Sequence, residues 1–267
     1  MEIPNVDYHI TDICNLKCVS CNHFCPLVPD TATHKSIEQI KADLLLLSKF
    51  KHIIKCVSIM GGEPTLHPDL IEILRFARSI FPFNDIHLVT NGTQYKDFHK
   101  WRETIVNNKI LVVGSQYPYR KNYKEGYEYL EKLLGENYTH SRWDIDTLNM
   151  QAKPFSNKIL DNEDRILFCR MRGACSQLRN GKLYLCNYAA NLNFLKNYFK
   201  ADVKIEQDGK DYVDLNTCTE DDIKELIKVR KPLICRYCKE CMRYDDLDME
   251  WVPWRHSERK IEEWVEK

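Results

Sequence analysis

Residues 8–21 read YHITDICNLKCVSC, a short apolar strand candidate followed at once by Cys14, Cys18 and Cys21. The spacing C-x3-C-x2-C directly after a strand lets three thiolates converge within one tight loop. A cubane iron–sulfur cluster normally takes four thiolates, so three leave one iron open to a small-molecule ligand. Zinc is the competing reading, since cysteine-rich loops also build tetrahedral centres and His23 could complete a set of three cysteines and one histidine. Structural zinc, however, usually draws its four ligands from paired knuckles.

Outward from this loop, short apolar runs alternate with amphipathic stretches up to about residue 150, the pattern of βα units around a mainly parallel sheet. Strands are expected at Asp7–Thr11, Cys56–Met60, Ile86–Thr90 and Ile110–Gly114, each rich in Ile, Val or Leu and bounded by turn residues. Helices are expected at Ser36–Phe50, which opens on a capping serine, at Asp69–Ile80 and at Asn122–Leu134, with Gly135 as a stop. Parallel βα sheets hold ligands at the carboxyl ends of their strands. Three further segments fall at such ends: Gly61-Gly62-Glu63-Pro64, Thr90-Asn91-Gly92, and Ser115-Gln116. Glycines let backbone approach a ligand closely, and the Glu63 carboxylate can pair with a cation. Each segment alone also reads as a simple turn.

The three-cysteine loop, the GGEP segment and the TNG turn, in that order, resemble the radical S-adenosylmethionine (SAM) superfamily over about residues 5–150. The resemblance implies an α/β fold with an incomplete parallel (β/α)6 barrel. It implies that Cys14, Cys18 and Cys21 carry a [4Fe–4S] cluster whose open iron takes SAM. Gly61, Gly62, Glu63 and Pro64 would hold the methionine ammonium group, Thr90 and Asn91 the ribose and carboxylate, and Ser115 would flank the ligand with Gln116. Ser20 departs from the family pattern, where an aromatic residue commonly precedes the third cysteine. The implied reaction is reductive cleavage of SAM to a 5′-deoxyadenosyl radical that abstracts a substrate hydrogen atom, fed by an electron donor such as flavodoxin or ferredoxin.

From about Phe155 the alternation breaks, so the expected organisation is a barrel over residues 1–154 and a small cysteine-rich domain over 155–267. Ser176–Arg179 and Lys182–Cys186 flank Asn180-Gly181, a dipeptide that favours a type I′ hairpin turn. Helices are expected near Glu220–Val229 and at Ser257–Val265. Cys169, Cys175 and Cys186 frame the hairpin, and Cys235, Cys238 and Cys241 return near the end. This region resembles the auxiliary-cluster domain called twitch or SPASM. One second [4Fe–4S] cluster is implied, with Cys175, Cys186, Cys235 and Cys238 as preferred ligands, Cys169 as substitute and Cys241 as a spare thiol. A four-cysteine zinc ribbon is the alternative. Cys25, Cys56 and Cys218 stand alone and read as buried thiols, with Cys25 close to the first loop.

Twelve cysteines fit metal binding in a reducing compartment better than disulfides, and no signal segment or long apolar run is seen, so the expectation is a cytoplasmic protein without membrane contact. Lys plus Arg and Asp plus Glu both total 39, which implies no nucleic-acid partner. The short cysteine-rich tail resembles radical SAM enzymes that oxidise small alcohols or modify sugars. An auxiliary cluster able to accept an electron favours dehydrogenation of a small sugar-like or alcohol substrate. Epimerisation through a thiol hydrogen donor (Cys25, Cys218 or Cys241), maturation of ribosomally made peptides, and a zinc-binding scaffold are the alternatives. Tyr117, Tyr119, Tyr123, Tyr127 and Tyr129 line either a sugar pocket or a helix face. Trp251, Pro253, Trp254, Arg255 and His256 either cap the active site or pack the tail on the barrel. No general base can be picked from sequence.

Overall fold

The central sheet grows from alternation along its first strand. The computed structural model describes residues 2–115, 117, 123–140, 149–161, 165–169, 172–228, 230–239 and 250–266. Strand β1 (Ile3–Thr11) sends Val6, Tyr8 and Ile10 into the main core, while the buried polar residues Asp7, His9 and Thr11 take the alternate positions. Next come α1 (Ile37–Ser48), β2 (Ile54–Gly61), α2 (Leu70–Ile80), β3 (Asp85–Thr90), α3 (Phe98–Asn107), β4 (Leu111–Gly114), α4 (Tyr123–Leu134) and β5 (Tyr138–His140). Strands β1 to β5 pair in parallel and in chain order, the product of successive βα crossovers.

Two short strands, β6 (Asn149–Ala152) and β7 (Phe155–Ser156), lead to the hairpin of β8 (Ser176–Arg179) and β9 (Lys182–Tyr184). Asn180 and Gly181 both take positive φ, as a type I′ turn requires. The hairpin does not form a sheet of its own. Strand β8 pairs in parallel with the free edge of β1, giving the order β10-β9-β8-β1-β2-β3-β4-β5, where β10 is Tyr212–Asp214. The architecture is therefore α/β, an open partial barrel of parallel strands whose sixth member is β8, with an antiparallel extension.

Asp43 fastens this edge. It is buried on α1 beside Ile40, Leu44 and Leu47, and it accepts hydrogen bonds from the Tyr8 hydroxyl at 2.9 Å, the Gln39 amide at 3.0 Å and the Gly181 backbone N–H at 3.0 Å. Helix, strand and hairpin turn thus meet on one carboxylate. The residues beyond 155 serve two cores. Leu178, Leu183, Leu185 and Val213 join the main one, whereas Phe155, Tyr188, Leu192, Ile234, Ile261 and Trp264 form a second with Phe24 and Leu27 of the cysteine loop. Helix α5 (Asn187–Phe199) supplies much of that second core, and α6 (Glu220–Lys228) packs its Ile223 and Leu226 into the first.

One expected helix is absent. Residues 257–265 contain only a 3-10 turn at Ile261–Glu263, and β11 (Glu250–Pro253) and β12 (Val265–Glu266) bracket them. Burial of Ile261, Trp264 and Val265 decides this. The backbone there is consumed by pairing with β7, through Lys153 N–H to Glu263 O at 3.0 Å, Phe155 N–H to Trp264 O at 3.1 Å and Asn157 N–H to Glu266 O at 3.1 Å. Trp264 is wholly buried in the second core, so Trp264→Ala should cost about 3–5 kcal/mol of stability. Chemical denaturation under anaerobic conditions measures this, and a loss under about 1 kcal/mol would show that the tail is not part of the core.

Candidate functional site

The cysteine loop is docked on the turn that follows β2. Gly62 N–H donates to Thr11 O and Glu63 N–H to Ile13 O, both at 2.8 Å, which prolongs the β1–β2 contact past the strand ends. A Cβ at Gly61 would lie 2.1 Å from Thr11 O, and one at Gly62 would lie 2.1 Å from Ile13 O. Both positions therefore require glycine for the loop to sit where it does. Glu63 is completely buried. Its carboxylate accepts from Thr65 N–H at 3.1 Å, the Thr65 hydroxyl at 2.5 Å, the Thr90 hydroxyl at 2.7 Å and Asn91 N–H at 2.7 Å. Burial pushes its pKa up while these donors oppose the rise.

Glu63, expected to hold a ligand's ammonium group, joins the turns after β2 and β3 through these bonds. Pro64 begins a 3-10 turn, and neither residue lines the cavity described next. The β3 turn in turn grips the cysteine loop. Asn91 Nδ2 donates to Asn15 Oδ1 at 2.9 Å and lies 4.0 Å from Cys14 Sγ, and Asn15 Nδ2 donates to the Thr93 hydroxyl at 2.8 Å.

At the carboxyl ends of the strands a cavity of about 170 Å³ is walled by Cys14, Cys18, Cys21 and Cys25, by Gly61 and Gly62, by Thr90 and Asn91, and by Ser115 and Tyr117. Met60, Val89, Asn22 and His23 complete its lining together with Leu16. Burial pushes the Cys14 thiol up to about 11 and the Cys18 thiol up to about 12, whereas a hydrogen bond from Cys25 holds Cys21 below the ordinary thiol range. A metal centre's positive charge would convert such neutral thiols to thiolates. Three thiols facing open space beside two glycines fit a cluster with one open iron.

Behind the cavity lies a polar chain that no motif announced. His9 Nε2 and His23 Nδ1 are 2.9 Å apart, His9 Nδ1 and Asp12 Oδ1 are 3.0 Å apart, and Arg179 clasps Asp12 with both terminal nitrogens at 3.0 and 2.8 Å. Burial lowers the pKa of both imidazoles; although it also opposes the Asp12 charge, His9 and Arg179 hold that carboxyl well below the usual range. The available signal was the period-two placement of Asp7, His9 and Thr11 among apolar neighbours on β1.

A second cavity, of about 30 Å³, is lined by Cys169, Cys186, Cys235 and Cys238 with Phe155, Ile166, Leu185, Tyr188, Ile234 and Arg172. Cys175, a preferred ligand on sequence grounds, is outside it. It immediately precedes Ser176, which is tied to Val6 in the sheet, while Cys169 follows the 3-10 turn Arg165–Phe168 and comes in its place. Arg172 carries the fit test. Nε donates to Ile227 O at 2.6 Å, Nη2 reaches Leu226 O at 3.2 Å and Arg230 O, and buried Nη1 has no partner among the described residues. Cys169, Cys186 and Cys235 all act electrostatically on this guanidinium. Four thiolates around inorganic cations form an anion that would satisfy it, so the donor set and the orphaned nitrogen suit an iron–sulfur cluster. Among the described residues no group of three or more His, Cys, Asp or Glu side chains closes on a single point as one ion requires. The thiols of both sets instead surround a space.

The remaining expectations sort by burial. Cys56 is buried in β2, Cys218 packs partly buried against the main core, and Cys25 lines the first cavity. Tyr123, Tyr127 and Tyr129 lie on α4, where Tyr129 packs edge-on against Tyr95 at 5.6 Å. Gln116, Tyr119 and Cys241 lie outside the described residues. The tail binds the cysteine loop: Val19 N–H donates to Arg255 O at 2.9 Å, Ser257 N–H to Lys17 O at 2.8 Å and the His256 ring to Leu16 O at 2.7 Å. Ser20, where the family carries an aromatic residue, is buried and donates to Glu263 O at 2.7 Å, and Trp264 Nε1–H donates to Cys21 O at 3.0 Å.

The family model of the radical SAM superfamily matches residues 8–145, the span that contains the three-thiol loop, both glycines and the β3 turn. The chain belongs to the radical SAM superfamily. Membership implies a [4Fe–4S] cluster and SAM as cofactors of this radical SAM enzyme. Among curated relatives, a GTP 3′,8-cyclase of Lactiplantibacillus plantarum is 35% identical over 31% of this chain and 25% of its own length. One from Vibrio vulnificus is 27% identical over 49% of this chain and 37% of its own length. The chain thus spans well under half the length of these relatives. Among solved structures, BtrN in complex with AdoMet and 2-DOIA aligns with a TM-score of 0.51 and 17% identity, over 77% of this chain and 84% of that one, a likeness of fold.

Gly62→Ala should push the Cys14 loop off the β2 turn and weaken SAM binding by about tenfold or more, a loss of about 1.4 kcal/mol. Equilibrium binding to the anaerobically reconstituted protein measures it. Gly209→Ala, where a Cβ meets nothing within 4 Å, is the control. Equal affinities in the two variants would contradict the docking.

Proposed function

We propose that this radical SAM enzyme dehydrogenates a small sugar-like or alcohol substrate, with a second [4Fe–4S] cluster held by Cys169, Cys186, Cys235 and Cys238. The observation that carries this reading is that those four thiols line one cavity with Arg172, whose buried Nη1 has no hydrogen-bond partner among the described residues. When bound, the core cluster and SAM supply the radical that takes one hydrogen atom, and the second cluster supplies an acceptor for the electron left as the substrate hydroxyl loses its proton. Cys14, Cys18 and Cys21 hold the first centre, and Gly61, Gly62, Thr90, Asn91 and Ser115 face the space for SAM. Phe24 of the first loop packs on Phe155 and Tyr188 at 6.4 and 6.1 Å, and both of those rings line the second cavity. A buried aromatic layer shared by the first loop and the second cavity suits electron transfer. His23 presents a polar ring at the cavity wall.

An external reductant such as flavodoxin or ferredoxin and a reducing, cytoplasmic setting accord with the described cysteines, all of which are free thiols. Among the described residues no helix is long and apolar enough to cross a membrane.

Epimerisation is the second reading, favoured by Cys25, whose thiol lines the first cavity where it could return a hydrogen atom. Incubation of reduced enzyme with SAM and candidate polyols in deuterated buffer separates the two. Dehydrogenation gives a carbonyl product two mass units lighter, in proportion to 5′-deoxyadenosine. Cys186→Ala should still cleave SAM but lose at least about tenfold in carbonyl formation, close to 1.4 kcal/mol in transition-state terms. A product with unchanged oxidation level and one solvent deuterium, abolished in Cys25→Ala, would establish epimerisation instead.

A further inference from the structure

The large aromatic rings near the first cavity are nearly all turned away from it. Phe24, from the cysteine loop itself, and Trp264, from the tail, are wholly buried in the second core. Trp254 is outside the lining and packs 6.3 Å from the Tyr117 ring and 5.3 Å from the His256 ring. Among the described tyrosines, phenylalanines and tryptophans, Tyr117 alone lines this cavity, where Leu16, Met60 and Val89 supply the other large apolar side chains.

Tyr117 is held in place from several sides. It lies just past β4, where Ser115 N–H donates to Thr90 O at 2.8 Å and fastens this stretch to the turn after β3. The Tyr127 hydroxyl, on α4, accepts from Tyr117 N–H at 3.1 Å while donating to Ser115 O at 2.8 Å. Tyr127 is itself packed edge-on against Tyr123 at 5.8 Å and beside His140 at 6.0 Å. Trp254, brought by the tail, packs against the Tyr117 ring. A stiff side chain fixed at its backbone and packed against a second ring has little freedom left to lose when a flat ligand covers it, so binding there is preorganised.

We propose that the Tyr117 ring is the stacking platform for the adenine of SAM, so that the segment after β4 fixes the nucleoside end of the cofactor. This rests on the proposed place of SAM in the first cavity. The physical reason lies in the base: adenine presents a flat, uncharged, polarisable face, and such a face binds well on an aromatic ring. Leu16, Met60 and Val89 offer apolar contact but no planar surface. Tyr117 is thus a binding residue for the cofactor, and Tyr127 and Trp254 act through it as positioning residues.

The test is equilibrium binding of SAM and of 5′-methylthioadenosine, which keeps the adenosine and lacks the amino-acid end, to the anaerobically reconstituted holoenzyme. Tyr117→Leu keeps apolar bulk and removes the ring; it should weaken both probes by about tenfold or more while retaining the wild-type iron and sulfide content. Tyr117→Phe keeps the ring and should bind both within about twofold of the wild type. Ser20→Ala, at a buried loop position outside the cavity lining, should match the wild type. Unchanged SAM affinity in Tyr117→Leu would overturn the proposal, as would an equal loss in Tyr117→Phe, a loss for SAM that spares 5′-methylthioadenosine, or loss of iron and sulfide from Tyr117→Leu. Wild-type protein that binds SAM as tightly after removal of its core cluster would refute the place of SAM in this cavity, a failure distinct from these.

Discussion

The structure turns on a buried carboxylate. Glu63 lies at the end of β2 without solvent, and a charge in such a place persists only when it is fully hydrogen-bonded. Its donors come from its own turn, through Thr65, and from the turn after β3, through Thr90 and Asn91. With those turns locked together, Gly61 and Gly62 present a flat backbone on which Thr11 and Ile13 can rest. Cys14 follows Ile13 at once, so the first thiol inherits its place from the Glu63 network.

A second constraint comes from the far end of the chain. The loop between Leu16 and Cys21 has little regular structure of its own, and the tail provides the missing partners through Arg255, His256, Ser257, Glu263 and Trp264. The same tail closes the second core, which includes Phe24 from the loop. Two cysteine sets distant in sequence thereby share one packed aromatic layer. This coupling gives the proposed oxidation its physical logic: the first cysteine loop and the lining of the four-thiol cavity meet in one buried aromatic layer.

Much of this was legible in the sequence, for identifiable reasons. The strands at Cys56–Met60 and Ile86–Thr90 announced themselves by apolar runs ending in glycine or TNG turns, and the hairpin by Asn180-Gly181, where φ is positive at both positions. Ser36 capped α1 as read, with its hydroxyl accepting from Gln39 N–H. That Cys169 rather than Cys175 lines the second cavity was hidden, because spacing along the chain does not reveal that Ser176 is held by the sheet edge. The scaffold partners of Glu63 were hidden for a similar reason: a carboxylate beside a turn does not reveal in sequence that Thr65, Thr90 and Asn91 donate to it. The amphipathic pattern of residues 257–265 suggested a helix, yet pairing with β7 and burial of Trp264 outweighed local periodicity.

The central claim, that two separate thiol sets each seat a cluster in one chain, is tested most directly by iron and sulfide analysis with Mössbauer spectroscopy of anaerobically prepared protein. The expected content is about eight iron and about eight sulfide per chain, falling to about four of each when Cys14, Cys18 and Cys21 are replaced by alanine, and likewise when Cys169, Cys186, Cys235 and Cys238 are replaced. Stoichiometric zinc without sulfide, or a wild-type content of about four iron that is indifferent to loss of the second set, would contradict it.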